Sequence, residues 1–213
     1  MKRRMLILFG PQGAGNHLWS KIFSLHPLVY GWKSLLENYW EPHRFNEPFA
    51  SCWRDHSLLK SFDWKQSDCY FTSISCPLGI PGSDVNPIWN PNPNDFAKAL
   101  EKLKFTVEFA IIGRDQTILK HQQNRIRGTS TMDYFYDMYN SLKYKKTFLS
   151  YELLYLYKSE YLKSLDFNIP IAYDDPRIEQ ILSDDPNVKY IHNVESYDLD
   201  EGNKTGKIFN SKP

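Results

Sequence analysis

The first 25 residues constrain this chain more than any other part of it. A continuous apolar run, Met5 to Phe9, halts at Gly10-Pro11, and two further glycines, Gly13 and Gly15, follow before the next apolar stripe. Five apolar residues closed by Gly-Pro form the pattern of a strand buried on both faces of a parallel sheet. Asn16 to Leu25 then reads as a helix, with Leu18, Trp19, Ile22, Phe23 and Leu25 along one side and His26-Pro27 ending it. A strand that feeds a helix through a short glycine turn must cross over to a parallel neighbour, which commits the chain to an α/β architecture.

The rest of the sequence repeats the alternation. Strands are expected at Tyr70 to Cys76, Thr106 to Gly113 and Lys146 to Tyr151. Helices are expected at Lys33 to Trp40, from an N-cap at Asp95 through Lys104, at Gln116 to Arg127, Ser130 to Tyr144, Glu152 to Leu165 and Pro176 to Leu182. Residues 41–69 carry no clear period. Pro77 to Asp95 holds five prolines in 19 residues and reads as a loop, functional or mobile. The expected fold is one α/β domain over residues 1–213, a central, mostly parallel sheet flanked by helices, P-loop NTPase-like. Residues 196–213 are expected to form a mobile tail. Tyr134, Phe135, Tyr136 and Tyr139 are expected to pack into the core.

Charge narrows the partners. Lys+Arg 26 against Asp+Glu 25 leaves a net charge of +1, without the basic excess of a protein that binds nucleic acid in bulk. Any anion site must therefore be local. The apolar run after Met1-Lys2-Arg3-Arg4 is too short for a secretory signal, and no stretch is long enough to span a membrane. Three cysteines, Cys52, Cys69 and Cys76, lack metal spacing and read as reduced thiols. A cytoplasmic protein with no metal site is the expectation.

The segment Gly10 to Leu18 carries the chemistry. Glycines let the backbone turn tightly and aim successive N–H groups inward, and the following helix adds free donors and a positive dipole end. Gly10, Gln12, Gly13, Ala14, Gly15, Asn16, His17 and Leu18 are thus the candidate phosphate cradle. The spacing Gly10-xxxx-Gly15 is that of a P-loop, but Asn16 and His17 stand where nucleotide hydrolases and kinases place Lys and Ser/Thr.

The run Gly13-Ala-Gly-Asn-His-Leu-Trp-Ser-Lys-Ile-Phe-Ser-Leu-His-Pro-Leu-Val-Tyr-Gly31 resembles the N-terminal region of the sulfotransferases, which use 3′-phosphoadenosine 5′-phosphosulfate (PAPS). Two more segments match in order: Phe109-Ala-Ile-Ile-Gly-Arg-Asp115, and Thr147 to Leu154 continuing through Leu165-Asp-Phe-Asn-Ile-Pro170. The resemblance implies that residues 10–18 hold the 5′-phosphosulfate. It puts Arg114 on the 3′-phosphate, with Gln122 standing where the family has a serine. A surface ion pair of Arg114 with Asp115 is the competing reading. The Gly-Lys-rich stretch 202–207 is similar to the family's late loop over the 3′-phosphate, which would bring in Lys204.

Two departures matter. The family places a Lys or Arg in its loop where Gly13 stands, so Lys21, Lys33 or His17 would have to supply that charge. Its acceptor base is a histidine where Ser75 stands, or a glutamate where Ser34 stands. Glu37, one helical turn beyond Ser34, is the preferred base here, ahead of His43 and His56. The catalytic candidates are accordingly Glu37, His17 and Lys33. The resemblance implies sulfuryl transfer to a hydroxyl or amine of a small-molecule or carbohydrate acceptor, with 3′,5′-adenosine bisphosphate as product. A nucleotide-binding member without catalysis and a divergent P-loop kinase are the alternatives.

Overall fold

The structure, a computed structural model, describes residues 2–38, 41–64, 67–79, 82–84 and 87–183. Seven of the eight residues of β1 (Arg4–Pro11) are buried, so the first apolar run lies in the middle of the sheet. On its two sides run β3 (Cys69–Cys76) and β4 (Thr106–Gly113), with β2 (Val29–Tyr30) and β5 (Lys146–Ser150) outermost, in the order β2-β3-β1-β4-β5. Every pairing is parallel. The result is one α/β domain with a five-stranded parallel sheet between helices.

The two-residue period of β1 sorts its side chains between two cores. Leu6 and Leu8 point to α1 (Asn16–Ser24), α7 (Tyr151–Ser164) and α8 (Arg177–Ser183), where they meet Trp19, Ile22, Phe23, Leu154 and Ile178. Met5, Ile7 and Phe9 point to the other face, covered by α3 (Ala50–Arg54), α4 (Pro93–Lys102), α5 (Gln116–Arg127) and α6 (Met132–Ser141). There Trp53 and Phe96 stack with ring centroids 3.9 Å apart. Each fully buried aliphatic or Phe side chain contributes about 1.5–3 kcal/mol, so both layers are needed to hold the sheet.

The crossover from β1 uses the α1 face, whereas α4 and α5, which follow β3 and β4, lie on the opposite face. Chains leaving neighbouring strands to opposite faces open a crevice at the carboxyl end of β1, the usual ligand position in open α/β sheets.

Several boundaries differ from the sequence expectation. The helix expected at Lys33 to Trp40 is a single 3₁₀ turn, Lys33–Leu36, and Trp40 lies outside the described residues. Ser34 and Asn38 turn their side chains to Glu41 instead of continuing a helix (2.8 Å each). α4 begins earlier than Asp95 because Asn92 caps it, accepting from the Asp95 N–H (3.2 Å), and Pro93 occupies the first turn, where its missing N–H costs nothing. Residues 41–69 hold α2 (His43–Asn46), α3 and a 3₁₀ turn, His56–Lys60, all too short to show a period. The proline-rich loop is pinched near its start, where Leu78 and Trp89 exchange two main-chain hydrogen bonds of 2.8 Å. Of the four aromatics of α6, Phe135 is buried but Tyr134 is exposed. Residues 196–213, with Lys204 and Lys207, lie outside the described residues.

Candidate functional site

The loop after β1 has the conformation its glycines permit. Gly13 has φ 84° and Gly15 φ 104°, in the left-handed region. A Cβ on Gly15 would also lie 2.8 Å from the Tyr151 ring, so no side chain fits there. Gly15 caps α1 without a side-chain hydrogen bond, whereas Asn92, Asp115 and Ser150 cap α4, α5 and α7 with theirs. The first-turn N–H groups of α1 have no intrahelical acceptor, and they stand at the positive end of its dipole. Ala14 and Leu18 are buried and pack the loop onto the core.

Arg114 stands just after β4 and is buried. Its Nη1 donates to the Gly13 carbonyl (2.6 Å) and to Gln122 Oε1 (2.8 Å), and its guanidinium lies 4.8 Å from the centroid of the Tyr151 ring. Gly13 of the loop therefore meets Arg114 and Gln122, the pair that the resemblance names together. Asp115 caps α5 by accepting from the Ile118 N–H (2.9 Å), and its own N–H donates to Glu152 (2.7 Å). The surface ion pair is thus replaced by two separate roles.

Gln12 and Asn16 face the protein. Gln12 Nε2 donates to the Gly79 carbonyl (2.7 Å), and its Oε1 accepts from Thr131 (3.2 Å). Asn16 Nδ2 donates to the Pro11 carbonyl (3.3 Å) and Ser75 Oγ (3.0 Å), while its buried Oδ1 has no protein partner. Asn16 thereby ties the loop to the end of β3 through its amide donor. Sequence reading overlooked Gln123, fully buried, which donates to the Gln12 carbonyl (2.8 Å) and accepts from the Thr131 N–H (2.9 Å). Nothing in the Gln122-Gln123 pair marks the second as the deeper one.

Beside the loop lies a cluster that the sequence showed only in part. His17 Nε2 donates to the Glu41 carbonyl (2.8 Å), and its ring packs 5.0 Å from Trp32. Burial, followed by the Glu41 contact acting oppositely and the nearby Lys21 charge, holds the His17 pKa below its usual value, so the ring is neutral at pH 7. His43 packs edge-on against the same Trp32 and donates from Nε2 to the Ser73 carbonyl. Burial pushes its pKa down to about 4.

Two buried carboxylates flank His43. Glu41 accepts from Trp32 Nε1 (2.6 Å), Ser34 and Asn38. Glu47 accepts from Thr72 (2.8 Å), the Phe49 N–H (2.8 Å) and the Ser73 N–H (3.3 Å). Burial outweighs those donors and pushes the Glu47 pKa up to about 8. The signal for both was the repeated Glu-Pro phrase, Glu41-Pro42 and Glu47-Pro48, since a residue before proline is held extended.

Two catalytic candidates fall elsewhere. Lys33 donates to the Ser24 (2.6 Å) and His26 (2.8 Å) carbonyls, at the end of α1 remote from the loop. A nine-residue helix spans about 13 Å, so this ammonium does not supply the charge missing at Gly13. Glu37 is exposed at the end of its 3₁₀ turn; the carboxylate bonded to Trp32 is that of Glu41, whose main-chain carbonyl accepts from His17.

A surface groove of about 280 Å³ runs along α5, lined by Gln116, Thr117, Lys120, His121 and Asn124, none of them in the loop. Among the described residues, no three His, Cys, Asp or Glu side chains are grouped to hold a metal, and no helix is long and apolar enough to cross a membrane. No protein-family model matches the chain, and no curated protein matches it in sequence.

Proposed function

We propose that this chain is a divergent, PAPS-dependent sulfotransferase-like enzyme. The observation that carries the reading is the convergence on Gly13: an uncapped helix start behind left-handed glycines, with Arg114 bonded to the loop from 101 residues away and to Gln122 eight residues on. The loop and first-turn N–H groups take the 5′-phosphosulfate, and the Arg114 fork, with Gln122, takes the 3′-phosphate. The guanidinium against Gly13 also supplies positive field where a glycine replaces the family's loop cation.

Sulfuryl transfer then needs positioning and charge stabilisation more than covalent participation. The acceptor oxygen forms a bond to sulfur while the bond from sulfur to the phosphate oxygen breaks. The electron pair leaves on 3′,5′-adenosine bisphosphate, and the hydroxyl proton passes to a neutral base. His17, neutral and one residue into the helix, suits that role better than exposed Glu37. A nucleotide-binding member without turnover is favoured by one observation, the placement of Lys33 at the far end of α1. A Mg²⁺-dependent kinase has no lysine at Asn16 to reach a γ-phosphate.

Calorimetry with 3′,5′-adenosine bisphosphate, beside ATP and ADP with and without Mg²⁺, tests the reading. Micromolar binding that requires the 3′-phosphate and ignores Mg²⁺ is expected. Binding of Mg²⁺–ATP alone would refute it. Turnover across an acceptor panel separates the enzyme from the silent binder.

A further inference from the structure

The segment between the two buried glutamates is built to present something. Glu41 and Glu47 hold its ends, each carboxylate accepting three hydrogen bonds from surrounding elements. His43 pins the middle, bonded to β3 through Ser73 and packed on Trp32. Burying two carboxyl groups is costly, and the hydrogen bonds that each accepts offset that cost and fix the segment's geometry. What this rigid turn turns outward is Arg44, Phe45 and Asn46, all exposed.

Phe45 is 75% exposed, the most of any large hydrophobic among the described residues, and the Arg44 guanidinium lies 5.2 Å from its ring centroid. No carboxylate among the described residues forms a salt bridge with Arg44. The turn starts at the loop itself, because the Glu41 carbonyl accepts from His17 in the first turn of α1. A flat apolar ring and a forked cation, side by side three and four residues beyond that contact with α1, match a ring-bearing molecule that also carries an anionic group.

We propose that the Arg44–Phe45 turn is the acceptor-recognition element of this site, selecting hydroxyl-bearing ring compounds with a carboxylate or sulfate next to the ring. The inference rests on the sulfotransferase-like reading for calling its ligand the acceptor; the recognition chemistry itself does not depend on it. Phe45 lies against the ring face, and Arg44 pairs with the anion. Acidic sugars and hydroxylated aromatic acids share this chemistry.

Calorimetry on the full chain, with and without 3′,5′-adenosine bisphosphate, separates the two sources. The probes are a glucuronate-containing tetrasaccharide beside neutral maltotetraose, and 4-hydroxyphenylacetate beside 4-methylphenol. At least one acidic probe is expected to bind tenfold or more tightly than its neutral counterpart. Arg44→Gln is expected to abolish that preference, and Phe45→Ala to weaken the probe about tenfold. Both variants should keep wild-type melting temperature and bisphosphate affinity, since both side chains are exposed. Two results overturn the proposal: a preference unchanged by Arg44→Gln, or no acidic probe bound by a protein that binds the bisphosphate. Probe binding that depends on both residues in a chain that does not bind the bisphosphate upholds the turn as a recognition element and refutes the cofactor reading. Failure of both ligands refutes both.

Discussion

Replacing Gly15 by alanine should destabilise this protein far more than the same change at Gly128, although both glycines have positive φ. A left-handed non-glycine residue costs about 1–2 kcal/mol at either position. At Gly128 (φ 73°) a Cβ meets nothing within 4 Å, so that cost stands alone. At Gly15 (φ 104°) the Cβ would sit 2.8 Å from a Tyr151 ring atom. That ring is buried, with the Arg114 guanidinium over it and its hydroxyl bonded to Tyr155 (3.2 Å). It is unable to step aside freely, and overpacking of this kind adds about 1–3 kcal/mol. Gly15→Ala should therefore cost about 2–5 kcal/mol, against about 1–2 for Gly128→Ala. Urea titration followed by tryptophan fluorescence at pH 7 measures both. In Tm the excess at Gly15 is about 2–12 °C for a chain of this length. Tyr151→Leu in the Gly15→Ala background should recover part of the packing cost, a coupling that a double-mutant cycle isolates. Equal losses at the two glycines would refute the argument.

Arg114→Ala should lower affinity for 3′,5′-adenosine bisphosphate at least tenfold while changing that for ADP much less, as calorimetry would show; equal losses would detach Arg114 from the 3′-phosphate. Lys33→Met should cost about 1–2 kcal/mol by freeing the Ser24 and His26 carbonyls and leave bisphosphate affinity unchanged, measured by urea titration and calorimetry. Because the folded Glu47 pKa is raised from 4.5 to about 8, the native state holds a proton that the unfolded chain has lost, and stability falls as pH rises through that range. The lowered pKa values of His17 and His43 act only below about 6.5, where stability falls with acid, so the window from pH 6.5 to 8 belongs to Glu47. Melting curves across it should slope downward in the wild type by up to about 1.4 kcal/mol per pH unit, and Glu47→Gln should flatten them.

The first strand was legible because burial on both faces leaves no polar residue to break Met5 to Phe9, whereas the two-residue β2 (Val29–Tyr30) is too short to show any pattern and was not expected. α5 matched its expected bounds because Asp115 and Gly128 punctuate it, one as a side-chain cap and the other as the left-handed stop. The region from 33 to 69 was not legible. Its order comes from side chains that bond across the fold, such as Glu47 to Thr72 and His43 to Ser73, and such contacts leave no period in a sequence. The site divides the same way. Arg114 and Gln122 were named only through the family resemblance, and the inward turn of Asn16 and Gln12 depended on acceptors at Ser75 and Gly79 that a linear reading cannot bring near. Lys33 was misjudged because a lysine near a glycine loop in sequence lies a helix length away in space.

Gln123 gives the loop a second owner. Its amide joins the Gln12 carbonyl to the Thr131 N–H, and Thr131 also reaches the Gln12 side chain. The orientation of the peptide after Gln12 is thus set partly by the joint between α5 and α6. Under the proposed function, a molecule that pressed on that joint would tilt the donors offered to the anion, and the anion would act on the joint in return. Substitutions at Thr131 would accordingly alter the bisphosphate affinity that the proposed function gives the loop, without touching the ligand.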